Sequence, residues 1–249
     1  MAEVRAALKG ARADGITLLD IDGGEPLLYP SLVTVIRDAR RLGFERITVT
    51  TNGRRLADPD VAAALLASGL HSLLISLHGS APTIHDGLTD RPGSFRETAT
   101  GLRNVLRLMA PGFGLGVNTT VTTANLADLM KLGERLAALA VPQWNLQLVT
   151  PFGRAGEDLL PTREELRDTL SAVLERFGER LAMAVVNAPP CRLPGYERYV
   201  AADLGKLQRT MRFVTREEVN LAHYLQQRRR YEEKCEDCLF RPACGGEYE

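Results

Sequence analysis

The sequence predicts a parallel α/β fold, and three observations carry that reading. Short β-rich runs recur along the chain, each run is followed by a segment with helical spacing, and polar residues stand just past the strand ends. A strand that returns through a helix lies parallel to its predecessor, so five such repeats in a row specify one parallel sheet.

Residues 2–14, AEVRAALKGARAD, place Val4, Leu8 and Ala11 on one helical face. The first strand-like run, ITLLDID from Ile16, enters Gly23-Gly24-Glu25-Pro26 directly. Residues 31–42 then carry Leu32, Val35, Ile36 and Ala39 on one stripe. RITVTT from Arg46 is the next strand, and Asp58-Pro59 starts the next helix. HSLLISL from His71 precedes a helix over 94–109 with Ser94 expected as its cap. GLGVNTTV from Gly114 precedes a helix over 125–139 with Asn125 as its cap. NLQLV from Asn145 precedes a helix over 162–177 that opens on a capping box, Thr162 to Glu165. LAMAVVN, residues 181–187, is a sixth strand. The strands read as mostly apolar on both faces, as in a sheet covered on both sides. From Ala188 onward turns and charges dominate, so the chain divides into 1–187 and 188–249.

With 249 residues, 45% of them apolar, the chain has enough material for a full core. Its 31 basic and 31 acidic side chains balance, which argues against nucleic-acid binding through a strong positive field. The run Arg228-Arg229-Arg230 reads as a solvated helix face. Apolar runs such as LLISL, residues 73–77, are too short to cross a bilayer, and no signal-peptide core opens the chain. No membrane association and a cytoplasmic location are the default expectations.

Ligands of parallel α/β proteins gather at the carboxyl ends of the strands. Those ends carry Asp22 to Pro26, Thr51-Asn52-Gly53, Ser76 to Gly79, Asn118-Thr119-Thr120 and Thr150 to Arg154. Gly23 and Gly24 clear side chains from a strand end, so a ligand can reach the backbone, and Pro26 sets the exit direction. His78 and His85 read as packed or hydrogen-bonded loop groups rather than as metal ligands.

These strand ends, together with His85-Asp86, Gly93-Ser94-Phe95 and the stretch Pro151 to Ala155, resemble radical S-adenosylmethionine (radical SAM) enzymes in order along nearly the whole chain. The resemblance implies a partial (β/α)6, TIM-like barrel, here lacking its first strand. It implies that Gly23, Gly24, Glu25 and Pro26 hold the amino group of SAM through their backbone. Ser76 would contact the methionyl end, Asn118 the ribose or adenine, and Thr51 and Asn52 would face the cofactor or substrate cavity. No catalytic residue is assigned.

Cys235-x2-Cys238-x5-Cys244, with Cys191 upstream, is a second constellation. A Cys-x2-Cys pair brings two thiolates to one metal, and two more complete a tetrathiolate shell. Spacing alone leaves zinc and iron-sulfur both open. The segment resembles the auxiliary-cluster (SPASM-like) domains that follow many radical SAM barrels, which implies a four-iron four-sulfur cluster, with zinc as the alternative.

Family members carry a C-x3-C-x2-C loop for the SAM-cleaving cluster upstream of Gly-Gly-Glu-Pro, whereas this sequence has no cysteine before Cys191. The expectation is a chain that starts beyond the first strand and that loop. A truncated start, a paralogue that lost the loop and a loop supplied by another chain remain open, the contiguous gap favouring the first. Such a chain exposes the edge of its leading strand and is expected not to cleave SAM by itself. The resemblance also implies an electron donor such as ferredoxin or flavodoxin, and its weak preference for substrate is a peptide or protein. The alternative from another class is a non-catalytic binding protein with a zinc-stabilised cysteine tail.

Overall fold

The computed structural model describes residues 1–150, 156–201, 210–212, 218–220, 229–242 and 244–248. In chain order these form α1 (Ala2–Ala13), β1 (Leu18–Ile21), α2 (Leu32–Arg41), β2 (Arg46–Thr51), α3 (Pro59–Leu66), β3 (Ser72–Ser76), α4 (Pro82–Thr89), α5 (Ser94–Leu108) and β4 (Gly114–Val121). They continue as α6 (Leu129–Ala138), β5 (Gln143–Leu148), α7 (Arg163–Phe177) and β6 (Ala182–Val186). One six-stranded sheet has the order β1-β2-β3-β4-β5-β6, and its registered pairs β1/β2, β2/β3 and β3/β4 are parallel. This is the strand–helix alternation of a partial (β/α)6, TIM-like barrel.

The chain divides into two units, Met1–Thr119 with Met130–Trp144, and Thr120–Leu129 with Asn145–Glu249. In the first, the period of two along the strands sorts residues between faces. Ile47, Val49, Leu73, Ile75, Leu115 and Val117 form a buried set, each at most 2% exposed. The alternate positions are Thr48, Thr50, Ser72, Leu74, Ser76, Gly116 and Asn118, in register across β2, β3 and β4. Thr48 and Ser72 join hydroxyls at 2.8 Å on this second face. The strands are therefore not apolar on both faces: one face is a hydrocarbon core, and the other is largely polar and small. Leu18 in the edge strand β1 is 58% exposed.

Helix α2 buries the stripe Leu32, Val35, Ile36 and Ala39 that its spacing announces. Each large aliphatic side chain so buried contributes about 1.5–3 kcal/mol, which holds a ten-residue helix that would be marginal alone. Asp58 caps α3 by accepting from the Asp60 amide at 2.9 Å. Ser94, however, does not cap α5. The cap position is Gly93 at φ 85°, and the carboxylate that serves the helix start is Asp86, from α4. It accepts from the amides of Gly93 and Phe95, both at 2.7 Å, and from the Ser94 hydroxyl at 2.9 Å. Helix α4 itself was not anticipated, and His85 sits on it, 2% exposed, rather than in a loop.

In the second unit, Thr162 and Glu165 make the reciprocal capping box that opens α7. Asn125 does not cap α6, because a 3-10 turn over Leu126–Asp128 intervenes. Its side chain instead closes the preceding loop, accepting from the Thr122 amide at 2.8 Å and donating to the Thr120 carbonyl at 2.8 Å. Two short antiparallel ladders follow, β7 (Thr210–Arg212) with β8 (Glu218–Asn220), and β9 (Arg229–Arg230) with β10 (Glu247–Tyr248). Arg229 and Arg230 thus lie on a strand and not on a helix face, and Arg228 lies outside the described residues. So does the stretch Pro151 to Ala155. Among the described residues no helix is long and apolar enough to cross a membrane.

Candidate functional site

The turn after β1 takes its shape from two successive glycines in the left-handed region, Gly23 at φ +84° and Gly24 at φ +56°. A Cβ added at either would meet nothing within 4 Å. Glycine is required here by backbone conformation rather than by crowding.

Glu25 fixes that turn. Its carboxylate accepts from the Leu27 amide at 3.0 Å, the Thr51 hydroxyl at 2.5 Å and the Asn52 amide at 2.7 Å. The first bond caps the 3-10 turn Pro26–Leu28, and the other two tie the end of β1 to the end of β2. Thr51 is 2% exposed, and its hydroxyl also accepts from the Gly53 amide at 3.0 Å. The Asn52 side chain accepts from the Arg54 amide at 3.0 Å, and its carbonyl accepts the Thr98 hydroxyl at 2.8 Å. Thr51 and Asn52 are thus brought together with Glu25, as a bonded support beneath the turn. Sequence reading took the Glu25 side chain as part of a backbone motif and missed this role. The only signal was a carboxylate at a strand end with a Thr-Asn pair at the next strand end.

Ser76 and Asn118 are register partners at the ends of β3 and β4, both half-buried. The Ser76 hydroxyl has no hydrogen-bond partner among the described residues, so it is available to a ligand. A buried chain of bonds runs from β5 through β4 to the residue after β3: Trp144 Nε1 donates to Thr119 Oγ1 at 2.9 Å, and Thr119 donates to the Leu77 carbonyl at 2.7 Å. Two residues past Ser76, His78 stacks on His85 with ring centroids 5.6 Å apart, and His85 Nδ1 accepts from the His78 amide at 3.0 Å. Burial first, and the neighbouring His85 second, push the His78 pKa down to about 4, so this imidazole is neutral at pH 7.

The cysteines belong to the second unit. Cys191, Cys235, Cys238 and Cys244 all line one cavity, and none is in a disulfide. Burial pushes the Cys191 thiol up, Lys234 opposes that shift, and Cys244 and Cys235 add to it, which places these sulfurs within electrostatic reach of one another. Arg163 on α7 bridges Glu232 and Glu247, both at 2.6 Å, and Arg192 and Lys234 join the same network. Four thiols around one cavity are the donor set of a tetrathiolate group. Among the described residues no three His, Cys, Asp or Glu side chains are drawn in around a single metal ion.

Residues 1–136 match the model of the radical SAM superfamily. The chain belongs to the radical SAM superfamily. SAM and an iron-sulfur cluster are what this family implies. The chain is 32% identical over 143 residues to the AdoMet-dependent heme synthase of Methanosarcina barkeri, covering 57% of this chain and 40% of that one. It is 27% identical over 182 residues to a probable GTP 3',8-cyclase of Saccharolobus solfataricus, covering 73% and 55%. This radical SAM chain thus spans only two fifths of the heme synthase's length and about half of the cyclase's. Streptococcus suis SuiB bound to S-adenosylmethionine has the same fold, with a TM-score of 0.66 at 15% identity, covering 98% of this chain and 64% of SuiB.

Proposed function

We propose that this radical SAM protein binds SAM at the carboxyl edge of its sheet, and that one observation carries this: two consecutive left-handed glycines shape a turn with open space on their Cβ side, while the half-buried Glu25 carboxylate holds it in place. Gly23, Gly24, Glu25 and Pro26 present backbone groups to the ligand's amino group. Thr51 and Asn52 hold Glu25 and so act on the ligand through the turn. Ser76 offers a hydroxyl to the methionyl end, and Asn118 an amide to the ribose or adenine.

Bound beside a reducing cluster, SAM supplies a 5'-deoxyadenosyl radical that abstracts hydrogen from a substrate. The thiolates for that cluster are not among residues 1–190, so residues 1–249 are not expected to cleave SAM alone. In residues 188–249, Cys191, Cys235, Cys238 and Cys244 hold an auxiliary four-iron four-sulfur cluster. A peptide or protein is the favoured substrate, supported by the SuiB neighbour seen with its precursor peptide, and ferredoxin or flavodoxin is the class of electron donor. The competing reading, a binding protein without catalysis and with a zinc-stabilised tail, draws on the same absence of cysteine before Cys191.

Titration calorimetry with SAM tests the first site: saturable binding that Gly24→Val abolishes supports it, and no binding by folded protein refutes it. Anaerobic reconstitution with iron and sulfide analysis tests the second. About one cluster per chain is expected, whereas zinc without sulfide refutes it.

A further inference from the structure

The helices α5 and α6 flank a cavity of about 420 Å³, within the size range of small-molecule sites. Its walls are sharply divided in chemistry. Three arginines line it, Arg96 and Arg103 from α5 and Arg135 from α6, and every other lining residue is apolar. No acidic residue lines it at all.

Four leucines form its buried floor. Leu77, Leu102, Leu132 and Leu136 are each at most 4% exposed, whereas Leu139, at 38%, is the one lining residue among the exposed large hydrophobics. A slender hydrocarbon body can lie along the cleft against the half-buried Phe95 and Ala99 and the exposed Pro82, Ala138 and Leu139.

The charged part lies outside. Arg96 and Arg103 are two turns apart on α5, about 10 Å along the axis, and both are exposed, as is Arg135. None of the three makes an ion pair among the described residues, and Arg103 reaches only the Thr100 hydroxyl, at 3.3 Å. Some other arginines of the chain pair with carboxylates, Arg5 with Asp38, Arg54 with Glu97 and Arg163 with Glu232. Glu97 lies on α5 itself, yet its carboxylate is committed to Arg54. Guanidinium forks match carboxylate geometry, and here three stand around an apolar cleft with no carboxylate partner among the described residues.

We infer that this cavity is a second ligand site, for an anionic amphiphile with a slender hydrocarbon body that enters the cleft and a carboxylate that meets Arg96, Arg103 and Arg135. This assignment is independent of SAM binding.

Dodecanoate is a direct probe, measured against the full chain by titration calorimetry below its aggregation range. One saturable site per chain is expected. The double variant Arg103→Gln with Arg135→Gln, at exposed positions, should keep the wild-type melting temperature and weaken binding about tenfold or more. Ala99→Trp should fill the cleft and abolish binding, and if that variant does not fold, the arginine pair decides. Dodecanol should bind at least about tenfold more weakly than dodecanoate. Non-saturable uptake, equal binding of the neutral alcohol, or binding unchanged in the arginine variant overturns the assignment.

Discussion

The carboxylate of Glu25 accepts the Thr51 hydroxyl at 2.5 Å, across 26 residues of chain, and so locks the end of β1 to the end of β2. With the Asn52 amide at 2.7 Å and the Leu27 amide at 3.0 Å, three donors converge on one side chain. Hydrogen bonds to a charged group contribute about 1.5–3 kcal/mol each, with incomplete additivity. Glu25→Ala should therefore destabilise the protein by about 3 kcal/mol or more, read by denaturant unfolding, and weaken SAM binding without touching the ligand. Glu25→Gln, which keeps an acceptor, should fall between; a variant as stable as wild type would remove the clamp from the account.

Gly23 and Gly24 separate conformation from crowding. Alanine at Gly24 meets nothing within 4 Å but must adopt φ +56°, which costs about 1–2 kcal/mol for an L-residue. Gly24→Ala is expected to lose that much stability and retain measurable SAM binding, whereas Gly24→Val, β-branched, should lose binding altogether. Equal binding by all three forms would mean that the turn is not the cradle.

Two histidine and carboxylate groups titrate in different windows. The folded pKa of His78 lies near 4, below its ordinary 6.5, so the unfolded chain takes up a proton first as pH falls. Stability is complete above about pH 6.5 and declines towards pH 4. His78→Gln should flatten that decline in unfolding measurements at pH 7, 6 and 5. The Asp86 carboxyl is held below its ordinary 3.8, chiefly by the Phe95 amide, so its contribution persists to lower pH and is lost only beneath that value. Asp86→Asn should lower the melting temperature at pH 7 and weaken the response to acid below pH 4.

Thr119 is the middle of a buried relay between Trp144 and the Leu77 carbonyl, with bonds of 2.9 and 2.7 Å. Thr119→Val keeps the shape and removes both bonds. A loss of about 1–3 kcal/mol is expected by denaturant unfolding, from buried groups left unsatisfied. Thr119→Ser, which keeps the hydroxyl, should recover most of it.

Much of this was legible in the sequence, and the failures share a cause. The run GLGVNTTV became β4 residue for residue, because Val117, Thr119, Thr120 and Val121 favour a strand and the two glycines sit where Ser72 and Leu74 of β3 approach closely. The box from Thr162 to Glu165 formed as read, since both partners lie within one turn. Threonine, by contrast, signals strand without signalling burial, so Thr48 and Thr50 concealed that one sheet face is polar. Asp86 took the capping role assigned to Ser94, and Glu25 found partners on the next strand. Local spacing reports partners within a few residues, and these bonds close only after the chain has folded. At the cysteines, spacing identified the four side chains that line one cavity, and its silence on the metal follows from thiolate chemistry common to zinc and iron-sulfur.

Trp144 is the only tryptophan in the chain, and it is fully enclosed, its indole N–H bonded to Thr119. The protein thereby carries a single natural fluorophore, fixed near the start of β5 and anchored by a hydrogen bond to β4. Its emission reports on one layer of one unit, with no other indole to blur it. Changes around Thr119 and Leu77, the residues that follow Asn118 and Ser76, can therefore be followed optically without a label.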